Sequence, residues 1–277
     1  MYRKVVDRIS GTWLSGLPGM RRTHRYISSL IRSYYNMTDR PQWIPYRGRK
    51  LYADTNDHVA GIIRRQGYYE QDVTEFIENQ TSRGDLVIDV GAHIGHHSIT
   101  IRQSICKEGE LLLFEPNPRN SRFIKRTVSE NGWNNVYLYE VALSNSEEVS
   151  TLTISDQNNT GSATTRNYEP SGVANEYNVQ ARRLSQILVA QDINQIDLLK
   201  MDIEGSEYEV LTDIEPELNN IKSMIAEIHK QKLENDEVKS IFEILSGKGK
   251  LYNIETLDDE LESVSDINKT IVWFLDN

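Results

Sequence analysis

The chain is poor in sulfur and has no long apolar runs. Among its 277 residues Cys106 is the only cysteine, which excludes an internal disulfide and a cysteine-rich zinc site and leaves that thiol as a small filler side chain. No apolar stretch approaches the roughly 20 residues needed to span a bilayer, and no short apolar segment ends in a small-residue cleavage site. The expectation is a chain that stays in the cytoplasm where it is made. The rest of the composition, 38% hydrophobic and 26% charged, is ordinary for a globular protein with a substantial core.

Charge is distributed unevenly. The formal net charge is -10, yet residues 1–50 hold eleven Lys or Arg against only two acids, Asp7 and Asp39. Arg3, Lys4, Arg8, Arg21, Arg22, Arg25 and Arg32 stand among Trp13, Tyr26, Tyr34 and Tyr35. Such an arm suits peripheral contact with an anionic membrane, contact with a phosphorylated substrate, or packing on the acidic body. We divide the chain accordingly into a basic helical arm and linker over 1–50, with breaks at Gly16-Leu17-Pro18-Gly19 and at Pro41 and Pro45, and a main domain over 51–277.

Beyond the arm, a helix is expected from about residue 68, with Val73, Phe76 and Ile77 on its apolar face. Strands are expected at 86–90, 110–114, 136–142, 196–201 and 222–228, with helices such as 119–131 and 206–213 between them. That alternation predicts an α/β fold, a mostly parallel sheet with helices on both faces. Segments 250–255 and 269–275 lack a full helix between them and predict an antiparallel pair at the sheet edge. The polar stretch 143–185 predicts a short hairpin with a flexible loop beside the sheet.

The segment Leu86 to Ser98, LVIDVGAHIGHHS, places a strand, a glycine turn and a helix start in succession. In an open parallel sheet such a turn faces the ligand crevice at the carboxyl ends of the strands. A dinucleotide site would read G-x-G-x-x-G. Here Asp89-Val90-Gly91-Ala92-His93-Ile94-Gly95 has another spacing, and a carboxylate precedes the first glycine. An acid there suits a ligand bearing positive charge, and S-adenosylmethionine, with a sulfonium, an ammonium and no phosphate, meets that description. The next strand ends in Glu115, placed to accept from both hydroxyls of a ribose. His93, His96 and His97 crowd the turn and are read as surface or packing residues.

Charges also gather at the ends of two later strands. Lys200, Asp202 and Glu204 alternate along LLKMDIEGSE, and Ile225, Glu227 and His229 alternate along SMIAEIHK. Unpaired ions on a helix-covered sheet face would be costly, so these residues belong at the open end of the sheet, where convergence of polar groups marks an active site. A salt bridge that only holds a loop is the bland alternative. A divalent ion held by Asp, Glu and His is another, and the residue types leave it open without favouring it.

These motifs resemble the FkbM-type S-adenosylmethionine-dependent methyltransferases from about Gly67 to the end of the chain. The matching pieces are GYYEQDVTEFI, VIDVGAHIGHHS, FEPNP, VALSN, TGSAT, IDLLKMDIEGSEYEVL and AEIH, in that order. The family commonly has Asn at the position of His93. The resemblance implies a Rossmann-like class I methyltransferase sheet of seven strands, the last antiparallel, and O-methylation of a hydroxyl on a sugar or another small molecule, a lipid-linked saccharide included. It implies that Asp89, Gly91 and Gly95 hold the methionine part, Glu115 the ribose and Ala142 lies near the adenine, with Ala92 and Asn117 also at the cofactor and Asp202 by the sulfonium or the substrate. No nucleic-acid partner is expected. Among Lys200, Asp202, Glu204, Glu227 and His229, His229 is the preferred general base because an unperturbed imidazole titrates near neutrality. Glu227 is its orienting partner, though a shared strand face threatens to hold the two apart, and Glu204 is the second choice of base. A methyltransferase-like module that binds without catalysis and a nicotinamide-dependent dehydrogenase are the competing readings.

Overall fold

The computed structural model describes residues 41–156, 159–166 and 175–275. The helices expected before residue 41 lie outside the described residues. Gln42–Tyr46 (β1) pairs antiparallel with Arg49–Ala53 (β2) as a hairpin, with Pro45 opposite Lys50. The linker expected at Pro45 is therefore a strand. A two-stranded sheet has two free edges, and a proline is accommodated where no neighbour needs its missing N–H. Ile44, Tyr46, Leu51 and Ala53 are buried against Val59 and Ile63 of the next helix and Ile99 and Phe123 of two later ones.

That next helix, His58–Gln66 (α1), starts where the Asp57 carboxylate accepts from the Val59 and Ala60 amides and stops at Gly67 in the left-handed region, φ 91°. Gln71–Gln80 (α2) follows as expected and buries Val73, Phe76 and Ile77. The main sheet then forms from Leu86–Val90 (β3), Glu110–Phe114 (β4), Val136–Tyr139 (β5), Ile196–Met201 (β9), Ile221–Glu227 (β10), Gly249–Asn253 (β11) and Thr270–Leu275 (β12). Its order is β11-β12-β10-β9-β3-β4-β5. The five strands β10, β9, β3, β4 and β5 run parallel, and β12 runs antiparallel to both neighbours. This is the Rossmann-like methyltransferase sheet. The expected edge pair is real, but β12 inserts between β10 and β11, so only β11 is the edge.

Alternate residues of each strand feed two cores. Ile88, Val90, Leu112, Phe114, Leu199 and Met201 pack with Glu207–Ile214 (α6) and Asn235–Ser246 (α7) on one face. Val87, Leu111, Leu113 and Leu198 pack with α2, His96–Ile105 (α3) and Pro118–Glu130 (α4) on the other. Helix α4 begins where the Asn117 side chain accepts from the Arg119 amide, with Pro118 in the first turn. The strand expected over 136–142 ends at Tyr139. Ala142–Leu143 (β6) leaves the main sheet and joins Asn175–Arg182 (β8), which forms the expected hairpin with Val149–Ile154 (β7). Leu184–Ala190 (α5) leads from β8 into β9. No helix among the described residues is long and apolar enough to cross a membrane.

β3 has β4 on one side and β9 on the other, so the connections diverge there, and the crevice above the carboxyl ends of β3 and β9 is the natural ligand position. The glycine turn sits under it. Gly91 has φ 80°, and a Cβ on it would lie 1.8 Å from the Asp202 carbonyl oxygen. The residue is glycine because the chain leaving β9 crosses directly over it. Gly91→Ala should cost about 3 kcal/mol or more from the positive φ and the backbone overlap together, measured as a lowered urea midpoint. A variant as stable as the parent chain would remove the crossing as the constraint.

Candidate active site

Above the turn lies a cavity of about 260 Å³ bordered by the ends of β3, β4, β9 and β10, by the start of α3, and by the 159–165 segment. Of the residues expected there, Gly91, Glu115, Ala142, Lys200, Asp202, Glu204 and Glu227 line it. Asp89, Ala92, Gly95, Asn117 and His229 do not. Asp89 is fully buried beneath the turn, where its carboxylate accepts from Ser98 Oγ at 2.9 Å and lies 3.3 Å from Lys200 Nζ. It shapes the turn from below and does not line the cavity. Asn117 is likewise fully buried and caps α4.

The turn is not an anion cradle. The Gly91 and Ala92 amides donate to the Phe114 carbonyl, His93 N–H to Glu115 Oε2 at 2.8 Å and Gly95 N–H to the Ala92 carbonyl. With these four donors bonded inside the protein, the glycine turn offers a diphosphate few of its amides, which counts against the nicotinamide reading. Lys200 Nζ donates to the Gly91 carbonyl at 2.9 Å and lies 4.0 Å from Asp202. Burial disfavours its charge, but Asp89 and Asp202 outweigh that and raise its pKa.

Around the cavity the charges are mostly negative. Glu70, Glu115, Asp202, Glu204 and Glu227 face Lys200 and Lys269. Burial raises Asp202 to about 6 against the pull of Lys200, with Glu227 pushing the same way. Asp202 lines the cavity, with its side chain about one-third exposed. Burial also raises Glu115 to about 7, opposed by His93 and by the Asn117 and His93 amides that it accepts from. Burial works to raise Glu227 as well, but hydrogen bonds from His229 and Lys269 bring it below the usual carboxylate range.

His229 corrects the sequence reading. Its Nδ1 lies 2.7 Å from Glu207, and its Nε2 lies 2.9 Å from Glu227 and 3.3 Å from Glu204. The expected separation from Glu227 does not occur, because β10 ends at Glu227 and the chain turns back. Burial disfavours the imidazolium, yet the Glu207 and Glu227 contacts hold its pKa up at about 10. A histidine already protonated at neutral pH accepts no further proton. The cage favours His229 as a counter-ion to its carboxylates over the role of base. Glu204, the second choice, is held by Lys232 Nζ at 2.6 Å.

Several residues outside the expected set complete the walls. His93, buried with φ 51°, reaches Thr160 Oγ1 at 2.9 Å, and that hydroxyl donates to Asp57 at 2.9 Å. The TGSAT piece is thereby tied to the start of α1. Arg166 bonds Glu209 and Glu237, fixing the same segment to α6 and α7. Tyr69 and Glu70 enter from the α2 start and Lys269 from before β12. Glu70 stood in the quoted GYYEQDVTEFI, but only the tertiary fold brings it to the cavity.

Residues 89–261 match the model of the methyltransferase FkbM domain. The chain belongs to the FkbM methyltransferase family. No curated protein matches it in sequence. Among solved structures it is similar to a SAM-dependent O-methyltransferase from Thermotoga maritima (11% identity, 85% of this chain and 77% of that one, TM-score 0.45). It is also similar to a precorrin-6y C5,15-methyltransferase from Geobacter metallireducens (12%, 76% and 92%, 0.40) and to an rRNA methylase from Streptococcus thermophilus (10%, 73% and 93%, 0.41). In this FkbM methyltransferase the donor set fits a cationic thioether nucleoside. Glu115, the apolar Val141, Ala142, Leu143 and Leu152, and the acids Glu70, Asp202, Glu204 and Glu227 all line the one cavity.

The imidazolium of His229 makes a checkable statement about pH. Its folded pKa is raised, so its contribution to stability is full below the unfolded value of 6.5 and disappears as pH rises through about 10. Between those limits the contribution should fall by about 1.4 kcal/mol per pH unit, and Glu207→Gln should flatten that slope in denaturant titrations. An imidazole resonance for His229 that titrates near pH 6.5 would contradict the cage.

Proposed function

We propose that the chain transfers the methyl group of S-adenosylmethionine to a hydroxyl oxygen of a small molecule, with a saccharide hydroxyl favoured. When bound, that cofactor supplies an electrophilic methyl group on a sulfonium. Glu115 holds the ribose hydroxyls, the Val141 to Leu143 segment and Leu152 cover the base, and Glu70 with Asp202 faces the positive end. The hydroxyl acceptor enters toward Glu204, Glu227 and Lys269, a polar wall whose carboxylates and ammonium groups hydrogen-bond hydroxyls far better than they cover apolar rings.

The observation that carries the reading is the carboxylate of Asp202, open to the cavity with a pKa raised to about 6. A base is most effective with its pKa near the working pH and within reach of the proton. Asp202 combines both, whereas His229 is already charged and Glu204 is bound to Lys232. Lys200 and His229 flank Asp202 and hold it in place. Alignment of acceptor and donor in a walled cavity supplies further acceleration.

Calorimetry with S-adenosylmethionine and with S-adenosylhomocysteine tests the cofactor, and the absence of binding heat with both would sink the proposal. Mass spectrometry of extract incubated with isotope-labelled methyl donor then identifies the acceptor; label on carbon or nitrogen in place of oxygen would refute O-methylation. Asp202→Asn should lower kcat about a hundredfold or more. In the parent enzyme kcat/KM should fall as pH drops below about 6, because the base of the unoccupied site works only unprotonated. Near-parental turnover in the variant would remove Asp202 from the role. Binding without turnover across a broad panel of hydroxylated metabolites would favour the binding-module reading.

A further inference from the structure

The histidines after the glycine turn have a feature that methyl transfer does not use. His96 is 5% exposed, and neither of its ring nitrogens has a hydrogen-bond partner. An imidazole buried with both nitrogens unsatisfied costs free energy unless something else binds there. Its neighbour His97, 2% exposed, has Nδ1 unpartnered as well, while His97 Nε2 lies 3.0 Å from Glu70 Oε2. The two imidazole rings are 4.0 Å apart between centroids, tilted by 42°. One ligand-capable atom from each of Glu70, His96 and His97 lies within 4.8 Å of the other two. Glu70 and His96 also line the cavity, so the cluster opens on it.

The geometry points to a divalent transition-metal site formed by Glu70, His96 and His97 in the cavity wall, with one coordination position left open toward the cavity. Two imidazoles and one carboxylate are a donor set for zinc, cobalt, iron or manganese and not for magnesium or calcium, which take oxygen. Two consecutive histidines on a helix ordinarily point about 100° apart, so they converge only when the second ligand element reaches between them. Glu70, at the start of α2, is that element. Ligand atoms now up to 4.8 Å apart close to bonding distance by small side-chain rotations, with the proton between His97 and Glu70 displaced by the ion.

The other carboxylate and histidine cluster, Asp202, Glu227 and His229, is the weaker candidate. There the imidazole has partners on both nitrogens, and Lys232 and Lys269 already neutralise the acids. Among the described residues no ammonium or guanidinium pairs directly with Glu70, although Lys200 and Lys269 act on it from farther off, and both His96 nitrogens lack a partner.

The site shares Glu70 with the wall proposed to face the cofactor's positive end, and its test needs neither donor nor substrate, so the two readings fail separately. The full chain is stripped with a chelator and titrated with cobalt(II), followed by visible absorption and calorimetry. One equivalent should bind, with the absorption of a nitrogen-ligated, low-coordinate cobalt centre. Glu70→Gln changes a half-buried side chain that caps nothing, and it should weaken binding at least tenfold. His96→Gln should do the same, with circular dichroism confirming that both variants fold, and His229→Gln should leave binding intact. No saturable binding to the parent chain overturns the proposal. So does binding that survives both Glu70→Gln and His96→Gln.

Discussion

The site depends on one buried ammonium. Lys200 near the end of β9 donates to the carbonyl of Gly91 in the turn after β3 and pairs with Asp89 beneath it. Two strands adjacent in the sheet but 109 residues apart in the chain are thereby joined where their carboxyl ends must line up. A buried ion that loses its partner costs about 3–5 kcal/mol, so neither Lys200 nor Asp89 is replaceable alone. The same contact explains the glycine. The chain leaving β9 runs over Gly91 so closely that only a hydrogen fits under the Asp202 carbonyl. The turn is held shut by the protein, and its free surface faces upward as side chains instead of as amides.

This arrangement reverses the usual reading of a glycine-rich turn after a first strand. Phosphate-binding turns keep their amides unpaired so that an anion completes them. In this chain the amides of Gly91, Ala92, His93 and Gly95 are completed by Phe114, Glu115 and Ala92. The ligand therefore meets carboxylates, and a cavity ringed by acids at low effective dielectric selects cations over anions. Cofactor preference follows from which groups the turn bonds internally, more than from the glycine spacing itself.

The sheet was legible in the sequence because buried parallel strands such as LVIDV and ELLLF leave short apolar runs at regular spacing, and tertiary packing did not override them. Lys200, Asp202, Glu204 and Glu227 were legible as a group because charge at a strand end has no place in a covered sheet. The β1–β2 hairpin was not, since Pro41 and Pro45 carry a linker signal and the pairing that tolerates Pro45 is visible only in the fold. Helix α1 had its markers, Asp57 before it and Gly67 after it, in a stretch too short for periodicity to stand out. The setting of His229 was hidden for a different reason. Its spacing from Glu227 showed a possible partner, but Glu207 arrives from α6, and this second carboxylate turns a base into a permanent cation.

That change moves the chemistry by a short distance with large consequences. With His229 charged, the local balance around Asp202 holds two cations, Lys200 and His229, against the acid itself and Glu227. Burial still wins and raises Asp202, because the carboxylate lies in a cavity too small to hydrate it fully. Filling that cavity removes the remaining water and strengthens each of these charge interactions. A cation placed against Asp202 then favours its ionised form, whereas a neutral hydroxyl leaves the raised pKa in place. On the proposed reading the same carboxylate answers to both occupants, ionised by the charge of one and placed to take the proton of the other.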